Sequence, residues 1–529
     1  MIRPDPAAAA VRRPDPSRRP AERSPIVIWS LAAAGLLALV IFDLSPPLAL
    51  NDDWMYAWSV QQLVGGHGLH AFPESTALAL VQVLWGALFG LGHADPRLLR
   101  LSIVPAIALI AWCSHWLARR LGADRFWAAV AAATLLGMPL FMGNATSFMS
   151  DTLYVALVMA VAAAGVAWAG DGRWRWLCVA LMVLTPLQRQ LGLTLIPALT
   201  LALVGFRRRS WTRADSIALT LIWTLPGAAL LVADRVMINQ PLYPTLSLSQ
   251  IDVSHAIFPL PAMLGLGLIP YLAALLLRPA PPRGESGWSL AWAGFGVLGA
   301  LGCLVDLARF GMIFPGNVFS TLGFTAILPG AKPPIFPGAI FQSVEIAAIV
   351  TFVALLIFRR RWWTVRMRPD AIVLVLVSAA QFAPLLAVNW FIYDRYFLPV
   401  IAPLVPLVAA VATAALRQRL ARSWAAAALV LGLLMYVAGE QDYLAWQAAR
   451  DQAARLAYQS VAKDQVQAGF EANGVYVELP RYERSGRADL FAILGPLHPA
   501  ITLRFAPVSD PRPGVPYGSL DSGKIVLDR

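Results

Sequence analysis

Long apolar runs broken by short polar stretches recur from Ile26 to Ala438. A helix of about 20 apolar residues crosses a bilayer, so each run of that length predicts a span. Read in order, the runs are Ile26–Leu44, Leu98–Leu117, Phe126–Met142, Thr152–Ala169, Ser216–Val232, Pro259–Leu277, Trp288–Leu307, Ala339–Phe358, Ala371–Val388, Phe397–Leu416 and Trp424–Ala438. Leu177–Leu187 and Leu191–Phe206 are shorter and are separated by Gln188-Arg189-Gln190, with Pro186 and Pro197 flanking the break. They predict two short or tilted half-spans with Arg189 at the outer turn. Thr76–Leu91 is apolar but short and carries Gly86 and Gly90. It is read as a helix lying along the interface, because only then do later arginine-rich loops fall on one side. The fold class is thus an α-helical polytopic membrane protein with about thirteen spans.

The arginines set the orientation. Arg12, Arg13, Arg18, Arg19 and Arg23 precede the first run, and Arg119/Arg120, Arg207–Arg209, Arg359–Arg361 and Arg417/Arg419/Arg422 sit between later ones. Positive charge collects on the cytoplasmic side, so the N-terminus is placed inside and the C-terminus outside. The first run is expected to stay as an uncleaved helix, since no small-residue cleavage site precedes Asp52. The divisions expected are a disordered cytoplasmic tail over 1–24, a transmembrane unit over 25–438 and a small extracytoplasmic α/β domain over 439–529. In that last part Val475–Leu479, Ile501–Phe505 and Lys524–Leu527 are strand candidates, and Gln441–Gln467 is a surface-helix candidate.

Composition agrees with this class: 58% of the 529 residues are hydrophobic and 14% charged, with mean hydropathy +0.63. The net charge of +12 belongs to the interhelical loops, so no nucleic-acid partner is read from it. Cys113, Cys178 and Cys303 all lie in apolar runs, which argues against a disulfide framework or a metal cluster.

Candidate chemistry begins at Asn51-Asp52-Asp53-Trp54-Met55-Tyr56, just past the first run. An acid pair is costly in hydrocarbon, so it belongs at the water-facing edge, and the following rings favour the interface. The same face is expected to hold Glu74, Asp151, Arg189, Arg309 and Arg395, with Tyr393 and Tyr396 beside the last. A carboxylate there can take a proton from an acceptor hydroxyl while cations stabilise a departing phosphate. That chemistry suits glycosyl transfer from a lipid-phosphate sugar. Each residue has a plainer alternative: the acids end a helix, Arg189 pairs with Asp151, Arg395 pairs with Asp394, and Glu74 caps the helix that follows. His67 and His70 stand three apart in a glycine-rich loop, as metal ligands or as solvated side chains. Lys332 reads as an exposed loop residue.

These motifs together resemble the GT-C membrane glycosyltransferases that use polyprenyl-linked donors, among them protein O-mannosyltransferases and aminoarabinose transferases acting on lipid A. The residues that carry the resemblance are Asp52-Asp53-Trp54-Met55-Tyr56, where those proteins have Asp-Glu-x-x-Tyr; Arg97-Leu98-Leu99-Arg100-Leu101; Ala118 to Gly122; Phe148-Met149-Ser150-Asp151; and Arg395 to Pro399. The resemblance covers residues 26 to 206 well and the rest loosely. It implies a GT-C-like bundle with interfacial helices in the first external loop and an inner-membrane enzyme working on the extracytoplasmic side. It further implies an inverting transfer from a polyprenyl-phosphate-sugar to a glycan, lipid or protein acceptor. Asp52 would be the catalytic base and Asp53 the second acid. Asp53 and Asp151 would help orient the acceptor, the donor phosphate or a divalent ion. Read from the residues themselves, Tyr56, Glu74, Arg189, Tyr393, Arg395 and Tyr396 join Asp151 as candidate substrate-binding groups, and Asp52 with Asp151 are candidate ligands of a divalent cation, Mg or Mn. The chain departs from the family at His70-Ala71-Phe72-Pro73, where relatives carry His-Pro-Pro-Leu or Lys-Pro-Pro-Leu. Two other classes compete with an enzyme: a transporter or flippase of lipid-linked glycans, and a membrane scaffold with a degenerate site.

Overall fold

The computed structural model describes residues 49–528 except 142, 208–210, 239–256, 258, 278–298, 300, 306–327, 331, 333–334, 358–368, 388–391, 414, 416, 490–492, 497 and 519–521. The expected tail over 1–24, the run Ile26–Leu44, most of Trp288–Leu307, and Arg309 lie outside the described residues.

Helices dominate. In chain order they are α1 (Asp53–Val64), α2 (Leu80–Phe89), α3 (Pro96–Leu101), α4 (Val104–Leu121), α5 (Arg125–Leu136), α6 (Ser150–Gly170), α7 (Arg175–Gln188), α8 (Leu195–Arg207) and α9 (Arg213–Val236). There follow α10 (Leu260–Leu268), α11 (Leu272–Leu276), α12 (Gly338–Ile357), α13 (Pro369–Phe382), α14 (Leu398–Ile401), α15 (Leu404–Ala412) and α16 (Gln418–Ala457). Local chemistry sets several of these ends. Asp95 accepts from the Arg97 amide at 2.7 Å with Pro96 at the first helical position, and Asp124 accepts from the Trp127 amide at 2.9 Å. Such side chains satisfy amides that a helix start leaves open. Gly122 closes α4 at φ 104°, a conformation that costs a side chain dearly.

Among the described residues, five helices are long and apolar enough to cross a membrane, or six if the 56° bent pair over Asp394–Ile401 and Leu404–Ala412 is one span. The expected count of about thirteen is higher, because several runs form shorter or broken helices. Phe126–Met142, for instance, becomes α5 and a separate turn at Pro139–Phe141. Exposed large apolar side chains stud the outer helices, among them Leu201 on α8, Trp223 and Leu231 on α9, and Val430 and Leu434 on α16. An apolar belt of that kind suits a hydrocarbon solvent.

α6 is the central post, buried along most of its length. It rises about 31 Å at 1.5 Å per residue. Its C-terminal end, here called the foot, carries Trp168, whose indole donates to Asp215 at 2.7 Å. Asp215 and Thr212 form a capping box at the start of α9, and Arg175 at the start of α7 donates to Thr212 at 3.0 Å. Its N-terminal end, the head, meets the far end of α7, where Gln188 donates to the Ser150 carbonyl at 3.0 Å. α7 thus runs from foot to head and α8 returns, with Arg189 at the head turn between them, as the paired short runs predict.

Two expectations fail at the C-terminal side. Trp424–Ala438 and Gln441–Gln467 do not form two helices. α16 is one 40-residue rod, continuous across 438/439. Arg422 near its start pairs with Asp124 at the foot at 2.9 Å, while Glu440 accepts from the Gly143 amide at 2.7 Å at the head. The rest of the rod therefore stands clear above the head. Val475–Leu479 is helical rather than a strand, lying between Phe470–Asn473 and Leu479–Ser485. A short alternating run fits either period, and here packing decides: Trp54 lies so close to Gly474 that a Cβ there would meet its ring at 2.3 Å. Ile501–Pro507 and Ser522–Asp528 are strands as expected. With Val466–Gln467 and Gly514–Gly518 they make a mixed sheet in which Ser522–Asp528 pairs antiparallel with Ile501–Pro507 on one side and Gly514–Gly518 on the other. The sheet rests on the projecting part of α16, where Trp446, Phe505 and Tyr517 pack edge to face.

Lys332 is not exposed. It is 5% accessible and its Nζ donates to Asp442 at 2.6 Å, so a buried ion pair ties residue 332 to the upper part of α16.

Candidate active site

The head of α6 gathers charges from four distant parts of the chain. Asp52 stands at the N-cap of α1, after Asn51 at φ 56°. The left-handed conformation is one that asparagine tolerates, and it turns the chain sharply into α1. Asp151 lies in the first turn of α6, where a carboxylate also meets the positive end of the helix dipole. Arg189 occupies the turn after α7, and Arg395 a single turn before α14.

Asp52 Oδ2 accepts from Arg395 Nη2 at 3.1 Å. Arg395 Nε lies 3.9 Å from Asp151 Oδ2. The same Asp151 oxygen accepts from Arg189 Nη2 at 2.9 Å. The four therefore form one alternating line of acid, base, acid and base. Ser150 Oγ accepts from Arg189 Nη2 at 2.8 Å and donates to the Tyr56 hydroxyl at 3.2 Å. Tyr393 and Tyr396 pack on the Arg395 guanidinium at 5.2 and 5.7 Å, and Tyr396 also faces Arg189 at 5.6 Å. Aromatic faces stabilise a partly desolvated cation.

Two features separate this cluster from ordinary ion pairing. Arg395 is 3% exposed, yet its Nη1 has no hydrogen-bond partner among the described residues. A buried guanidinium donor left open is costly, and that cost is recovered when an acceptor binds. Asp52 keeps some access, with 17% of its side chain exposed. Burial pushes its carboxyl above the ordinary range against the pull of Arg395, so it holds a proton to higher pH than a solvated carboxylate does.

Of the expected site residues, Asp52, Tyr56, Asp151, Arg189, Tyr393, Arg395 and Tyr396 are brought together. Asp53 and Glu74 are not. Asp53, 5% exposed, turns the other way: Oδ1 accepts from the Leu50 amide at 2.8 Å and Oδ2 lies 3.7 Å from Arg100 Nε. Burial, opposed by Arg100, lifts its carboxyl to about 6. Glu74 sits among acids of the C-terminal part, and burial, together with Glu478 and Asp489, raises it to about 7. Neither Arg395 nor Arg189 features in its surroundings. The alternative pairing of Arg395 with Asp394 holds only through the backbone, where the Arg395 amide donates to Asp394 Oδ1 at 2.7 Å.

Sequence reasoning passed over Ser150 and the pair Gln82–Gln188. Gln188 Nε2 donates to Gln82 Oε1 at 2.9 Å, the Gln82 amide donates back to Gln188 Oε1 at 3.0 Å, and Gln82 Nε2 donates to the Phe148 carbonyl at 2.7 Å. This bracket fastens α2 and α7 to the start of α6 and fixes where Arg189 begins. A glutamine inside an apolar run was the available signal, since such an amide needs buried partners.

The donor set does not fit a divalent cation as it stands. Asp52 and Asp151 are each held by a guanidinium, and a guanidinium lies between them. No group of three or more His, Cys, Asp or Glu suited to a metal occurs among the described residues. His70 Nε2 is instead 3.2 Å from the His67 carbonyl.

No protein-family model matches the chain, and no curated protein matches it. Among solved structures, the chain is similar to ArnT from Cupriavidus metallidurans bound to undecaprenyl phosphate, at 17% identity and a TM-score of 0.41, covering 95% of this chain and 98% of that one. It is likewise similar to ArnT from the same organism in the apo state, at 17% identity and a TM-score of 0.40, covering 95% and 97%.

Proposed function

We propose that this chain is an integral-membrane glycosyltransferase that moves a sugar from a polyprenyl-phosphate donor to a hydroxyl acceptor. The head of α6 faces the extracytoplasmic side in this reading, because Arg119, Arg120, Arg173, Arg175, Arg213 and Arg422 gather at the foot. The observation that carries the proposal is the single line from Asp52 through Arg395 and Asp151 to Arg189.

The parts divide by chemistry. The donor's phosphate oxygens take the open Nη1 of Arg395 and compete with Asp52 for Nη2. Once Arg395 turns to the phosphate, Asp52 loses its counter-ion and becomes the stronger base. Asp52 accepts the proton of the acceptor hydroxyl as that oxygen attacks the anomeric carbon. The carbon–oxygen bond to phosphate breaks on the opposite face, and the polyprenyl phosphate leaves with the bonding electrons. Arg395 and Arg189 stabilise the charge it gains. Attack from the opposite face inverts the anomeric centre. Asp151 aligns the two guanidiniums. No metal ion enters these steps.

The test is transfer by the purified full-length chain in lipid nanodiscs, using polyprenyl-phosphate sugars and an envelope lipid and glycan extract. Asp52→Asn is expected to lower kcat by about 10²–10⁴, the usual worth of a general base, with polyprenyl-phosphate binding retained. A kcat within threefold of wild type in folded Asp52→Asn removes Asp52 from the chemistry.

A further inference from the structure

The adjacent acids of the first loop serve two different spaces. Asp52 turns to Arg395, whereas Asp53 lines a cavity of about 200 Å³ that does not include Arg395, Arg189 or Asp151. Its walls come from α1, from α3, from the projecting part of α16, and from the segment around Glu471 and Tyr476. Trp58 and Phe72 meet Tyr482 edge to face at 5.5 and 5.2 Å, so the C-terminal segment is held firmly against the first loop.

The acids of the lining are each paired. Arg450 Nη1 is paired with Glu471, and Gln447 Nε2 donates to Glu471 at 2.7 Å. Arg100 faces Asp53. The third acid, Asp451, pairs with Arg455 just outside the lining at 2.8 Å. Such pairing leaves no net pull on a strongly charged ligand. Three buried lining atoms nevertheless have no hydrogen-bond partner among the described residues: the donors Trp54 Nε1 and Arg450 Nε, and the acceptor Gln447 Oε1. A hydroxyl both donates and accepts, so a polyhydroxylated molecule suits a lining that holds unanswered groups of both kinds. Trp54, Trp58 and Tyr476 add flat apolar faces of the kind that cover the C–H face of a sugar ring. The volume falls below the roughly 300 Å³ where drug-sized sites begin, which suits one ring.

We infer that this cavity binds a single saccharide ring of the acceptor, on the opposite side of the Asp52–Asp53 step from the donor phosphate. The acceptor is therefore a glycan or a glycolipid headgroup, anchored here by one ring while another part of it carries the reacting hydroxyl to the Asp52 side. This rests on the transferase reading above for its link to catalysis, but not for the binding itself.

Saturation-transfer NMR on the full-length chain in nanodiscs tests it, with methyl α-D-mannopyranoside, N-acetylglucosamine and N-acetylserine amide as probes. At least one saccharide is expected to be saturated and the serine derivative not. Gln447→Leu removes the open acceptor, and Ala57→Leu fills the cavity from half-buried α1. Each is expected to weaken saccharide binding about tenfold or more, a loss of one or two hydrogen bonds or of space. Asp52→Asn is expected to keep it. Signal from the serine derivative alone, no saccharide signal, or saccharide binding unchanged in both folded variants overturns the inference. Should Gln447→Leu fail to fold, Ala57→Leu decides. Saccharide binding without any transfer by the wild type supports the cavity and sinks the transferase reading. Transfer that needs Asp52 but keeps a wild-type acceptor KM in both cavity variants does the reverse.

Discussion

Both ends of α6 meet an aspartate beside an arginine, and the two ends are built to different standards. At the foot, Asp215 is fully buried and each carboxylate oxygen is used: Oδ1 accepts from Trp168 at 2.7 Å, and Oδ2 accepts from the Thr212 amide and hydroxyl at 2.9 and 2.6 Å. Other foot pairs, such as Arg422–Asp124, are partly exposed and simply join helix ends. At the head, four charges share three contacts, and a buried guanidinium nitrogen of Arg395 stays open. The residue types are the same. Between these two ends of α6, what differs is whether the buried polar atoms of the pair are already answered.

Substitutions at the two ends sharpen that contrast. The largest effect is expected for Arg395→Ala, which strips the counter-ion from Asp52 and half of the pairing from Asp151. Removing one partner of a buried pair costs about 3–5 kcal/mol, so unfolding in detergent is expected at clearly lower temperature, with polyprenyl-phosphate binding lost. A wild-type Tm with intact binding breaks the distinction drawn here.

Next comes Asp53, the acid that faces away from the cluster. It holds its proton to about pH 6 when folded, against an ordinary value of 3.8. The folded chain then binds more protons than the unfolded one between these values, so this group's contribution to stability falls as pH rises from about 4 to about 6. The full span is at most about 3 kcal/mol. The difference in Tm between wild type and Asp53→Asn is expected to vary with pH over that window and to be flat above it. A difference that stays constant from pH 4 to 7 contradicts the assignment.

The smallest effect is expected at the foot. Both partners of Arg422–Asp124 keep about a third or more of their side-chain surface exposed, and such pairs contribute under about 1 kcal/mol. Arg422→Ala is expected to leave Tm and transfer close to wild type. A loss comparable to that of Arg395→Ala shows that the two ends do not differ in kind.

The sequence itself carried whatever depends on neighbours along the chain. Apolar runs marked α6, α9 and α12 nearly to their ends, because a helix that long must bury its backbone and can expose only apolar side chains to lipid. Asp95, Asp124 and Thr212 are legible as helix starts for the same local reason. Arg189 was readable as a turn residue from the polar break between two short runs, and Asp151 from its place at the head of another.

Only the tertiary structure decided how those pieces face one another. Asp52 and Asp53 are interchangeable as a written pair, but one helical step sends their side chains to different spaces, and the rotation is fixed by Trp54 against Gly474. The same holds for Glu74, drawn to the C-terminal acids, and for Lys332, whose partner Asp442 is 110 residues away. Convergence of Asp52 with Arg395 spans 343 residues. Such a contact leaves no periodicity or local spacing in the chain; it exists only because packed helices bring their ends to one level.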